Sequence, residues 1–240
     1  MAFVQLADGE LHYQIEGPVD APVLIFLHGF PESHRTWRHQ IAHFKDRFRC
    51  IAPDQRGYRG SSKPQEVDAY TPDKLIGDIF LLADTLGIAH FTIVGHDWGG
   101  AIAWGVALAG QMNGRVTRAV VANAPHPAIF QKLLYTHPGQ REASQYIRGF
   151  RDPANDALVK DHGLTGLLLK EVKWDRPSAM EPEERDALLL DLEHVRLGAI
   201  FRGLTPFIAI DLLRLALLVI WHKHRSALQS QLRLMGDASK

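Results

Sequence analysis

Asp97 is the residue of this sequence best placed to do chemistry. It stands at the centre of Gly95-His96-Asp97-Trp98-Gly99-Gly100. A β-like run, Phe91-Thr92-Ile93-Val94, leads in, and small and apolar residues over 101–109 lead out as a helix. Strand, tight turn and helix in that order form the context of a nucleophile elbow, whose usual pattern is G-x-S-x-G. The flanking glycines suit a turn in which a Cβ would press on the adjacent strand and helix. A serine at the centre needs a neighbouring base to become nucleophilic. A carboxylate, with an ordinary pKa of about 3.9, is already ionised at neutral pH. It can attack an sp3 carbon in line, as in an epoxide or a haloalkane, and form an alkyl ester. Hydrolysis of that ester is a separate step that needs a base, normally histidine. The bland alternative is a surface-turn aspartate beside structural glycines.

The elements around this turn alternate. Asp8-Gly9 between two apolar runs, 3–6 and 11–15, predicts a hairpin. Residues 22–27 read as a strand buried on both faces and end at His28-Gly29-Phe30-Pro31-Glu32-Ser33. A short helix follows over 37–44, then a strand over 48–52 ending at Asp54. Thr71-Pro72-Asp73 opens a helix through 86, with proline just inside its start and Gly87 just past its end. After the elbow and its helix comes another strand, 116–122. Strands alternating with helices predict a mostly parallel sheet with helices on both faces. Such sheets bind ligands at the carboxyl ends of their strands. His28-Gly29, Asp54 and Asp97 all fall at such ends, which argues for a pocket around Asp97.

Beyond Asn123-Ala124-Pro125-His126-Pro127 the alternation stops. Helical stretches broken by prolines follow at 129–135, 141–150, 156–170 and 183–197. They read as an inserted helical lid or, alternatively, a second helical domain without function. The resulting division is 1–127 for the core, 128–205 for the lid and 206–240 for an incomplete remnant of the core. Residues 215–221 fit one more strand or the continuation of a helix. The 240 residues carry 27 basic and 27 acidic side chains, with no basic stripe that would suit nucleic acid. The single cysteine, Cys50, rules out a disulfide framework and fits a cytoplasmic protein. Neither a signal peptide nor a membrane span is expected. The histidines, His34, His39 and His43 among them, show no convincing metal spacing, so no metal or cofactor is expected.

Three motifs, His28-Gly-Phe-Pro-Glu-Ser33, Asp54-Gln-Arg-Gly-Tyr-Arg-Gly-Ser-Ser62 and Gly95-His-Asp-Trp-Gly-Gly100, together resemble the α/β-hydrolase fold family. Within it they are similar to the soluble epoxide hydrolases, over residues 10–205. The resemblance implies Asp97 as nucleophile, with the N–H groups of Phe30 and Trp98 as oxyanion hole. Pro31 corresponds to the turn proline of that loop, and His28, Pro31 and Trp98 would line the substrate site. Tyr146 lies in the lid segment whose tyrosine donates a proton to the epoxide oxygen; its plainer reading is a half-buried lid aromatic. The expected partner is a small apolar epoxide, with neither nucleic acid nor membrane, and with homo-oligomers open. Haloalkane dehalogenases share Asp and Trp at the elbow and form the runner-up, with Trp98 binding halide. They often carry Asn where this chain has Phe30.

One part of the pattern is not matched. The family's acid follows a strand like Leu-Val-Ile-Trp-Gly-x-x-Asp, and its histidine comes one strand later. Here Leu218-Val219-Ile220-Trp221 is followed by His222-Lys223-His224-Arg225, with Arg225 where the acid would be. Asn123 occupies another position where some relatives place the acid. No tyrosine lies in 211–214, the region expected to hold a second lid tyrosine. His222 and His224, among basic neighbours, read as solvated. The expectation is a C-terminally shortened or altered member in which Asp97 attacks and the ester turns over slowly. A non-catalytic module binding a small apolar ligand is the alternative from another class.

Overall fold

The alternating pattern of the strands sorts their side chains into two cores on opposite faces of one sheet. The computed structural model describes residues 2–156, 182–192, 195 and 197–204. The strands are β1 (Ala2–Leu6), β2 (Gly9–Glu16), β3 (Val23–Leu27), β4 (Arg49–Pro53), β5 (Phe91–His96) and β6 (Val116–Ala122). Their order in the sheet is β1-β2-β4-β3-β5-β6. β3, β4, β5 and β6 pair in parallel, whereas β1 and β2 form the expected hairpin and join β4 antiparallel. Successive strand side chains point to opposite faces. Ile25, Leu27, Ile51 and Ile93 therefore share one core, and Phe26, Cys50 and Ala52 share the other.

Helices cover both faces, as the parallel sheet requires. A 3-10 turn, His34–Trp37, runs into α1 (Arg38–Phe44), and Trp37 and Ile41 pack on Phe26 and Cys50. Burial there pushes the Cys50 thiol up to about 11. On the opposite face lie α2 (Pro72–Thr85) and α3 (Asp97–Met112), whose Ile79, Leu82, Ile102 and Val106 complete the larger core. The predicted helix over 101–109 thus begins four residues earlier, at the elbow itself.

The helical region after β6 departs from the expected pattern in one place. Residues 141–150 are not one helix. α4 (Pro127–Thr136) is followed by α5 (Pro138–Ala143) and α6 (Gln145–Arg151), with a break at Ser144. Ser144 takes φ −96° and ψ 6°, outside the helical well, and its hydroxyl accepts a bond from Gln140 Nε2 at 3.0 Å. α7 (Pro182–Leu192) and α8 (Leu197–Gly203) occupy most of the stretch read as 183–197 and beyond. The helix expected at 156–170 lies outside the described residues apart from Asp156. So does everything expected for 205–240, including His222 and His224. Among the described residues, no helix is long and apolar enough to cross a membrane.

The loop after β4 is tied down by a buried cation. Arg56 donates two bonds to the Asp78 carboxylate of α2, at 2.7 and 2.9 Å, and a third to Asp8 in the β1–β2 turn at 2.6 Å. Removing one partner of a buried pair leaves an uncompensated charge, typically at a cost of about 3–5 kcal/mol. Arg56→Ala is therefore expected to lose about that much stability, read as a lower urea midpoint at unchanged slope.

Candidate active site

β5 delivers Asp97 to the surface of the sheet through a strained turn. Asp97 has φ +53°, a left-handed conformation that a residue with a side chain adopts at a cost of about 1–3 kcal/mol. The turn leaves no room for a Cβ at its neighbours. A methyl at Gly99 would come within 2.2 Å of the His28 carbonyl oxygen, and one at Gly29 within 2.6 Å of Asp97 Cβ. Both glycines let the loop after β3 lie directly against the elbow. That contact brings the Phe30 N–H to Asp97 Oδ1 at 2.8 Å.

Burial is the largest influence on the Asp97 carboxyl and raises its pKa above the ordinary carboxylate value. The backbone N–H groups of Phe30 and Trp98 act on the same carboxyl and pull in the other direction, without cancelling the rise. The family resemblance implies these same two N–H groups as the oxyanion hole. The carboxyl opens on a cavity of about 230 Å³ lined by Asp97, Trp98, Asn123, Phe130, Tyr146 and Ile147, among others. Tyr146 is half exposed and stacks edge-on with Phe150, ring centroids 5.6 Å apart. Burial, and then the nearby Asp97, raise the pKa of its phenol, which stays protonated.

Phe30 and Trp98 also support the cavity from below. Phe201 of α8 meets the ring of each at 5.0 Å, edge to face, and Ile147 and Phe150 pack alongside. His28 occupies a different place. It is fully buried, its Nε2 accepts the Gln55 N–H at 3.0 Å, and its Nδ1 lies 2.8 Å from the Gly29 carbonyl. Burial lowers its pKa and keeps the ring neutral. His28 therefore anchors the loop and is not among the residues that line the cavity. Pro31, joined to Phe30 by a cis peptide bond, shapes the same loop and is likewise outside the lining. Beside the elbow, His96 Nδ1 and Glu32 Oε2 lie 3.7 Å apart, both atoms buried and without a hydrogen-bond partner among the described residues.

Sequence reasoning missed two features. Phe130 and Ile147 line the cavity as ordinary apolar residues of the helices after β6, and only helical periodicity could have marked them. The second feature is a cluster around Asp54. His12 and His34 each place Nδ1 on its carboxylate, at 2.6 and 2.8 Å, and the His34 N–H adds a third bond at 2.9 Å. The donor atoms of His12, His34 and Asp54 lie within 4.8 Å of one another, close enough to hold a cation. The carboxylate oxygens are already engaged by N–H donors, so the cluster reads as a hydrogen-bonded keystone. Desolvation, the largest influence on Asp54, would raise its pKa; the two imidazoles more than offset it and hold the carboxyl below the usual range.

A family model for the alpha/beta hydrolase fold matches residues 22–182. The chain belongs to the alpha/beta hydrolase family. The proteins it is similar to within that family include several epoxide hydrolases. Epoxide hydrolase 1 of Caenorhabditis elegans is 41% identical over 145 residues, covering 60% of this alpha/beta hydrolase and 35% of that protein. Epoxide hydrolase 3 of Xenopus tropicalis is 31% identical over 246 residues, covering 95% and 65% respectively. A solved structure among novel epoxide hydrolases from metagenomes of hot environments is 79% identical, with TM-score 0.76, over 87% of this chain and 69% of that one. The Bacillus megaterium epoxide hydrolase in complex with an inhibitor is 29% identical, with TM-score 0.74, over 86% and 71%. The chain thus spans between a third and two thirds of the length of these two curated relatives.

Two outcomes follow from this geometry. Gly99→Ala has only backbone to push against, so it is expected to destabilise the fold by about 1–3 kcal/mol or more, measurable by urea unfolding. Asp54, held below its unfolded pKa of about 3.9, stabilises the fold above that pH and loses the contribution as pH falls below it. Asp54→Asn should therefore flatten the acid limb of stability against pH, as followed by thermal melts.

Proposed function

We propose that this alpha/beta hydrolase opens epoxides through an ester on Asp97. A carboxylate oxygen of Asp97 attacks a ring carbon in line, and the bond from that carbon to the epoxide oxygen breaks. Tyr146 gives its proton to the departing alkoxide, leaving a hydroxyalkyl ester on Asp97. The observation that carries the reading is the buried carboxyl at the elbow, with the Phe30 N–H on one face and an apolar cavity on the other. When water later attacks the ester carbonyl, the developing oxyanion lies where the Phe30 and Trp98 N–H groups already point. One such donor is typically worth about 2.7–4 kcal/mol.

The epoxide relatives support the same reading. The runner-up, displacement of halide from a haloalkane, needs no proton donor, whereas the phenol of Tyr146 in the cavity wall suits a departing alkoxide. Hydrolysis of the ester needs a base. Among the described residues, His28 has both ring nitrogens committed to the loop. The first half-reaction does not depend on a base, so a stable ester is the product expected wherever none reaches Asp97.

Intact-mass measurement after incubation with styrene oxide tests this. The expected result is one added epoxide mass, lost with Asp97→Asn, whose amide is not nucleophilic. No labelling of the folded protein and no diol would overturn the proposal. Tyr146→Phe should slow labelling by about 10²-fold, the lower range for a positioned general acid. Only the ionised carboxyl attacks, and its pKa is raised by burial. The labelling rate should therefore fall with decreasing pH at a value above about 3.9, the ordinary aspartate midpoint.

A further inference from the structure

The lid sends one buried carboxylate into the core. Asp191 of α7 is 4% exposed. Its Oδ2 accepts the Ser33 hydroxyl at 2.6 Å and its Oδ1 accepts Arg59 Nε–H at 2.6 Å. Arg35 Nε stands 3.8 Å from Oδ2. Ser33 and Arg59 belong to the loops after β3 and β4, so three distant segments meet at one side chain.

Arg59 is the unusual partner. Its φ is +32°, in the left-handed region that favours glycine. A side-chain-bearing residue kept in such a conformation points to a use for the side chain. The Arg59 guanidinium also lies 3.5 Å from His34 Nδ1 and 3.9 Å from Asp54 Oδ2. It therefore stands between a carboxylate of the lid and the keystone carboxylate of the core. A buried ion pair of this kind adds little net stability, because both charges lose their water. Its better-attested use is to fix how two elements register.

The elements registered here are the ones the site needs. Ser33 follows Phe30, the donor to Asp97, by three residues, and His34 next to it is held by Asp54. α8, the next element of the lid, brings Phe201 against both Phe30 and Trp98. We propose that Arg59 and Asp191 form a latch, with Ser33 as its third member, that sets the seating of the lid on the Phe30 loop. Both are positioning residues, neither touching the reacting atoms. Their effect falls on how well substrate is enclosed, more than on the attack itself.

The full chain and four variants test the latch. Arg59→Gly relieves the left-handed strain but leaves the Asp191 charge buried, so its melting midpoint should fall, and the double variant, which removes both charges, should recover most of that fall. Asp191→Asn keeps an oxygen for Ser33 and removes the charge. In each, backbone amides of 183–192 and 33–37 should exchange with deuterium at least tenfold faster, and the double variant no faster than the faster single. Arg59→Lys should recover part of the protection. In styrene oxide labelling, the half-saturating concentration should rise about fivefold while the saturating rate changes less than twofold. A merely structural strut would instead lower the saturating labelling rate together with the melting midpoint, in the double variant as in the singles. Exchange at the wild-type rate in Arg59→Gly and Asp191→Asn, or additive effects in the double variant, overturns the latch. The labelling arm rests on the proposed epoxide chemistry, whereas the exchange arm does not. A wild-type protein that takes no label therefore removes the function and leaves the latch to be decided by exchange.

Discussion

The bond from the Phe30 N–H to the Asp97 carboxylate is the constraint on which the site depends. Two strand ends must lie close enough for their loops to touch, and β3 and β5 achieve this by pairing directly, with Leu27 opposite Gly95. Each loop then needs a residue without a side chain at the contact, and Gly29 and Gly99 supply it. The same bond holds the donor in place before any substrate arrives. Preorganised donors stabilise developing charge without reorienting during the reaction. The carboxyl is consequently both buried and partly compensated, which leaves it less acidic than a free aspartate but still able to ionise.

The side chains around this bond come from a base, the sheet, and from a cover, the helices after β6. The base is the sheet, whose alternating side chains fill two cores and fix Asp97, Trp98 and the Phe30 loop. The cover contributes Tyr146 from α6 and Phe201 from α8. Polar tethers from Ser33 and Arg59 to Asp191 tie the cover to the loops of the base. This is the usual division in α/β proteins, in which strand ends carry the reacting groups and insertions shape what reaches them.

Much of the base was legible in the sequence because period-two and helical patterns dominate there. Asp8-Gly9, the Val-Leu-Ile-Phe-Leu run of β3 and Thr71-Pro72 marked their elements to within a residue or two. The elbow was legible because glycines at fixed offsets have a steric reason. The helical region after β6 was less so. Ser144 splits an apparently continuous helix by leaving the helical well for one residue, which periodicity does not register. His28 looked like a ligand-facing residue because it ends a strand, yet its ring turns inward to hold backbone groups. The Asp54 cluster joins residues 12, 34 and 54 through tertiary packing, and no spacing along the chain could have announced it.

Cys50 carries a consequence of its own. Strained three-membered rings react readily with soft sulfur nucleophiles, and a surface thiolate would compete with any oxygen nucleophile for them. The only sulfhydryl of the chain is instead sealed between the sheet and α1, and stays protonated well above neutral pH. Cys50 is therefore poorly placed to compete for an electrophile.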